Sequence, residues 1–153
     1  MRIRSVWFWI SEGDTPMEPA SVADSPLVLL LAWSVVLLLA HILLQGVLAT
    51  KELGTAWNAG PRDDERQPSG KLAGRASRAS ANFQETYPAF VALAAGLLFT
   101  DQVDGLGLTG AVVWFVARLG YYPLYLAGVP YIRSIVWLAS MAGLGLMFLE
   151  LVS

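Results

Sequence analysis

The sequence predicts an all-α fold, a bundle of four helices embedded in a membrane, and three observations predict it. Of the 153 residues, 56% are hydrophobic and only 14% are charged, against about 25% charged in soluble domains. The charges are clustered, which leaves long uncharged runs fit to cross ~30 Å of hydrocarbon. Polar stretches rich in glycine and proline, such as residues 51–74, separate those runs. The net charge of −2 matters less than this distribution.

Residues 1–25 read as a tail outside the domain, which spans 26–153. Arg2 and Arg4 precede a short aromatic run, Trp7-Phe8-Trp9, that is too short for a signal peptide. Met17 is a second candidate start. Residues 26–50 form the first membrane helix, with no formal charge. His41 and Gln45 lie one turn apart on it and are expected to hydrogen-bond to a neighbouring helix. Residues 51–74 form a polar connection whose run Arg62-Asp63-Asp64-Glu65-Arg66 reads as solvated surface.

The second helix covers residues 75–99, with a bend expected at Pro88 and a small-residue pair, Ala92 and Gly96, suited to close helix contact. A turn over residues 100–107 follows. The third helix covers 108–127 and includes Pro123. After Gly128-Val129-Pro130, the fourth helix covers 131–151, and its small residues from Ala139 to Gly145 read as a packing surface. Basic residues flank the first and third connections and are missing from the second. The positive-inside rule therefore predicts a cytoplasmic first and third connection, with both termini on the other side.

Three polar clusters interrupt this apolar plan. Arg75, Arg78, Asn82 and Glu85 recur at helical spacing on the second helix and share one stripe. Arg118, Tyr121, Tyr122 and Tyr125 do the same on the third, and Arg133 and Ser134 open the fourth. All three clusters belong to the same half of the bilayer in the predicted topology. Ionisable groups at membrane depth are costly and usually face a bundle interior or a wet cavity. Tyrosines alone would read as an interfacial belt, but Arg118 lies among them. Guanidiniums, a carboxylate, an amide and phenols suit a small, multiply charged anionic ligand. Glu85 suits either a ligand ammonium or an arginine partner.

The chain has no cysteine and a single histidine. That excludes disulfides, a protein thiol nucleophile, and multi-histidine metal or haem sites within one chain. No metal site and no nucleic-acid partner are expected. Any thiol chemistry would need a thiol from a cofactor.

The second-helix pattern Arg75-x-x-Arg78-x-x-x-Asn82-x-x-Glu85-x-x-Pro88 resembles the signature of the MAPEG superfamily, the membrane-associated proteins of eicosanoid and glutathione metabolism. Arg118-Leu-Gly-Tyr121-x-x-x-Tyr125 and Arg133-Ser134 resemble its third- and fourth-helix motifs, and the chain is most similar to bacterial-type members. The resemblance implies a homotrimer in a bacterial inner membrane, with termini periplasmic and glutathione bound between neighbouring subunits. It implies cofactor-binding roles for Arg75, Arg78, Asn82, Glu85, Arg118, Tyr121 and Tyr125. It places Arg133 and Ser134 beside the thiol as the catalytic pair. The expected function is a glutathione transferase or peroxidase acting on lipophilic small molecules that enter from the bilayer. The alternative within the same fold is a binding protein for a lipid or a partner, without chemistry.

Overall fold

A computed structural model describes residues 25–61, 63 and 66–153. The expectations for the N-terminal tail, and for Arg62, Asp64 and Glu65 in the charge run, lie outside the described residues.

The first helix, α1 (Pro26–Leu53), begins where Pro26 occupies its first turn and the Ser25 hydroxyl accepts a hydrogen bond from the Leu27 amide at 3.3 Å. Both are start signals, since proline lacks an amide the helix could not use there. The helix runs three residues beyond the predicted end and stops at Gly54, whose φ of 92° suits glycine. A short helix, α2 (Thr55–Ala59), then occupies part of the connection expected to be irregular. Five residues carry too little periodicity to be read from sequence.

The next helix, α3 (Lys71–Phe99), starts four residues before the predicted Arg75. The reason is tertiary. The Glu52 carboxylate, at the end of α1, accepts from the amides of Ser69 (2.8 Å) and Gly70 (2.7 Å) and from the Ser69 hydroxyl (3.2 Å). A carboxylate at a helix N-terminus satisfies free amides and complements the helix dipole. Here it comes from another helix, so no local capping signal announces it.

The fourth element, α4 (Gly105–Ala127), also begins three residues early. It ends on Gly128, which is left-handed, with the Val129 amide donating to the Leu124 carbonyl at 3.1 Å. That closure satisfies carbonyls of the last turn. The last helix is α5 (Ile132–Val152).

Helix α4 packs most extensively on α5, and α1 packs on α3. Gly110 and Gly143 let the α4 and α5 backbones touch. A Cβ on Gly110 would meet the Gly143 carbonyl oxygen at 2.5 Å, and one on Gly143 would meet that of Gly110 at 2.6 Å. The small residues predicted to pack therefore do so at Gly143. Of the Ala92–Gly96 pair, Gly96 meets Leu151 while Ala92 is exposed.

The core joins Phe83, Phe90, Leu97, Trp114 and Met147, with the Phe90 and Trp114 rings stacked at 3.8 Å. Beside it, Ser34, His41, Ser80, Arg118 and Ser140 are buried, while Leu43, Val116, Ile135 and Leu138 are exposed. Polar groups inside and aliphatic groups outside suit a lipid surround. Helices α1 and α5 are long and apolar enough to cross a membrane. Helices α3 and α4 are as long, but Asn82, Gln84, Glu85 and Arg118 lower their apolar average.

His41 departs from expectation. Its Nδ1 donates to the Leu37 carbonyl of its own helix at 2.8 Å. What it offers its neighbours is its ring, against Tyr122 at 3.9 Å and Phe83 at 4.4 Å. A helical residue can back-bond to the carbonyl one turn earlier, and aromatic neighbours on both sides favour stacking.

Candidate functional site

Three helices meet around a cavity of about 250 Å³ lined by Asn82 from α3, Tyr121 and Tyr125 from α4, and Arg133, Ser134 and Trp137 from α5. Five of these six residues are ones that the sequence singled out, and they come from all three polar clusters. Helical spacing explains the local pairs. Tyr121 and Tyr125 are one turn apart, as are Arg133 and Trp137. The Tyr121 and Tyr125 rings lie 5.5 Å apart, and the Arg133 guanidinium sits over the Tyr125 ring at 4.7 Å. At that distance the ring's negative face holds the cation in place.

Behind this lining stands Arg118, 0% exposed. Its Nη1 donates to Asn82 Oδ1 at 2.9 Å and its Nη2 to Thr86 Oγ1 at 2.6 Å. Its guanidinium also lies 5.6 Å from the Tyr121 ring centroid. Arginine can only donate, so the Asn82 oxygen is committed to Arg118. The Asn82 amide nitrogen is the end left for a ligand, and it is a donor. Arg118, expected among the cofactor-binding residues, is not in the cavity lining and is joined to it by its hydrogen bond to Asn82.

The second-helix stripe divides in the same way. Arg75 and Asn82 are two turns apart and face α4. Arg75 donates from Nη1 to the Leu126 carbonyl at 3.0 Å, and its guanidinium lies directly against Gly128. It therefore caps the C-terminus of α4 and does not line the cavity. Arg78 and Glu85, offset by three residues, lie about 60° round the helix axis and are exposed. They do not line the cavity either. The tyrosine stripe divides too: Tyr122 turns to His41 on α1, away from Tyr121 and Tyr125.

Two residues were missed from sequence. Trp137 lines the cavity, and its indole N–H is buried without a hydrogen-bond partner among the described residues. Thr86 receives Arg118. Each lies four residues beyond a flagged residue, Arg133 and Asn82, so extending each stripe by one turn would have found both.

The donors around this cavity are a guanidinium, an amide, a hydroxyl, two phenols and an indole, with no carboxylate among the described lining residues. Such a set takes a ligand rich in acceptors and negative charge. The molecule is thus of a recognisable class: a helical membrane protein with an apolar exterior and a polar, donor-lined cavity. Within that class the chain belongs to the MAPEG family, whose family model matches residues 30–153. That membership makes it an integral membrane protein of the superfamily that includes membrane glutathione transferases and eicosanoid-related proteins. No curated protein and no solved structure matches the chain.

Proposed function

We propose that this protein binds glutathione at the Asn82–Arg133 cavity and catalyses its reaction with lipophilic electrophiles. The observation that carries the reading is convergence. Asn82, Tyr121, Tyr125, Arg133 and Ser134, separated by up to 52 positions, line one cavity. The donor-rich lining fits a tripeptide bearing two carboxylates and several carbonyls. The buried indole N–H of Trp137, which has no partner among the described residues, adds a donor that such a ligand would use.

Glutathione supplies a thiol whose thiolate form adds to an electrophilic carbon of an apolar co-substrate. The protein's part is to favour and place that sulfur. Arg133, steadied by the Tyr125 ring, supplies the positive charge that favours a thiolate. Ser134 supplies a hydroxyl donor on the same turn. Asn82, held by Arg118, presents its amide N–H to a ligand carbonyl or carboxylate. Electrostatic stabilisation of this kind is commonly the largest catalytic contribution.

The same reading makes the four long helices a membrane-spanning bundle and the assembly a homotrimer. Arg78 and Glu85 are exposed on a single chain, and a neighbouring copy would bring them to a shared site. The first and third connections would be cytoplasmic. Single cysteines at Ala59 and Asp104, both exposed, test that orientation in this cysteine-free chain. An impermeant thiol reagent added to intact cells should label Asp104→Cys and leave Ala59→Cys unlabelled; the reverse pattern rejects the orientation.

The decisive experiment is glutathione binding by detergent-purified protein, followed by calorimetry and by thiolate absorbance near neutral pH. Arg133→Leu should keep binding within about tenfold, roughly 1.4 kcal/mol, and lose the thiolate signal and most conjugation of a model electrophile. Wild type that binds glutathione without forming thiolate or turning over would establish the binding-protein alternative. Absence of binding would reject the glutathione reading itself.

A further inference from the structure

The Asn82–Arg133 cavity has an outer and an inner layer. Helices α4 and α5 are joined by the short link from Gly128 to Tyr131 and pack along each other. Lining residues therefore rank by their distance from that link. Tyr125 and Arg133 stand near it, with the guanidinium over the ring at 4.7 Å. Tyr121 and Trp137 each lie one turn further, about 6 Å along their helices. The Arg118 guanidinium stays behind this inner layer, its two terminal nitrogens bonded to Asn82 and Thr86. The donors that α4 and α5 bring to the inner layer, a phenol and an indole, are neutral.

Beyond Trp137 the polar lining of α5 ends. Ser140, Met141 and Leu144 continue its helix face at one-turn spacing. The Ser140 hydroxyl is spent on the Trp137 carbonyl at 2.7 Å, and Leu144 packs on the apolar core. Trp137 is thus the boundary between a polar cavity and an apolar wall. Its indole N–H is buried, with no hydrogen-bond partner among the described residues. A buried donor without an acceptor costs about 1–3 kcal/mol, and the cavity that Trp137 lines is where an acceptor can enter.

Resting on the glutathione reading, we propose that the Trp137 indole N–H donates a hydrogen bond to the sulfur of the bound tripeptide. Trp137 then joins Arg133 in favouring the thiolate, with the thiol proton released to solvent. Two features select the sulfur from among the ligand's acceptors. Carboxylates carry localised, strongly hydrated charge and suit the outer layer, where the Arg133 guanidinium stands. A thiolate is softer and more weakly hydrated, so it loses least at a layer bordered by an apolar wall. That wall is also the side from which a lipophilic co-substrate comes. A neutral N–H placed there stabilises the anion without adding a second charge to the interior.

The test compares glutathione with its sulfur-free analogue γ-glutamyl-α-aminobutyryl-glycine, in which a methyl group replaces the thiol. Calorimetry uses full-length protein in detergent, in buffers of different ionisation enthalpy, so that the heat also reports proton release. Wild type should prefer glutathione over the analogue and release a proton only with glutathione. Trp137→Phe keeps an aromatic ring and removes the N–H. It should cut the preference about fivefold, the worth of one hydrogen bond, and move thiolate formation to higher pH. Its affinity for the analogue should stay as in wild type. Trp137→Leu should show the same loss of preference and serves if the first variant folds poorly. An equal loss of affinity for both ligands would put the N–H on a carbonyl or carboxylate and overturn the proposal. An unchanged preference in the variants overturns it too. Wild type that binds both ligands alike would leave glutathione binding intact and overturn only the role given to Trp137. Wild type that binds neither rejects the glutathione reading, and this proposal with it.

Discussion

Two pairs on α3 make an instructive contrast. Arg75 with Asn82, and Arg78 with Glu85, have the same seven-residue spacing and lie on one polar stripe. The first pair is turned into the protein, where Arg75 holds the end of α4 and Asn82 receives Arg118. The second pair is exposed. A stripe on a helix is wide enough to face two environments, and only the position of α4 decides which edge is buried. Substitutions on the inner edge should therefore lower stability, whereas those on the outer edge should leave it unchanged and act on binding alone.

The largest effect should come from stranding Arg118. Asn82→Leu removes one of its acceptors and leaves a buried guanidinium partly unpaired, which costs on the order of 3–5 kcal/mol. Thr86→Val removes the other acceptor at a lower cost, about 1.5–3 kcal/mol, since a hydroxyl is a weaker acceptor than an amide oxygen. Thermal unfolding in detergent should rank Asn82→Leu below Thr86→Val and both well below wild type. Wild-type melting of both would mean that Arg118 is not held by this pair.

Arg75→Leu should cost less, about 1–2 kcal/mol, because it removes a charged donor from a helix C-terminus without stranding a charge. The loss should be local. Hydrogen exchange should quicken at the amides of Gly128 and Val129, which close α4, more than in α5. Uniform exchange would show that Arg75 does not act as a cap.

The outer edge should behave in the opposite way. Arg78→Leu and Glu85→Gln should move stability by less than about 0.5 kcal/mol, as exposed substitutions generally do. Calorimetry should nonetheless find that Glu85→Gln weakens glutathione binding at least tenfold, while Asp101→Asn leaves it unchanged. If both outer variants melt early and bind normally, the contrast between the edges is inverted and these residues are structural.

Much of the fold was legible in particular residues. Pro26 after Ser25 marks the start of α1, and Gly128 marks the end of α4 within one position of the prediction. The early start of α3 was not legible, because its cap is Glu52, 18 residues upstream of Gly70. Helix α2 was missed because five residues show no period. At the site, Asn82, Tyr121, Tyr125, Arg133 and Ser134 were legible because polar groups stand out in an apolar chain. The separate roles of Arg75 and Arg118 were not, because a guanidinium on a polar stripe looks the same whether it meets a ligand, a carbonyl or an amide.

By itself the sequence determined the class of the protein: helices, an apolar exterior, and polar residues too costly to leave facing lipid. Those follow from composition and from a period set by the backbone. The tertiary structure alone decided which polar groups share a cavity and which support it. The reason is geometric. Helical periodicity fixes angles around each axis, but not the rotation of one helix against another. That rotation is set by packing, here by contacts such as Gly110 on Gly143 and Phe90 on Trp114. It turns Asn82 toward Arg118 and the cavity, and leaves Glu85, three residues on, at the surface.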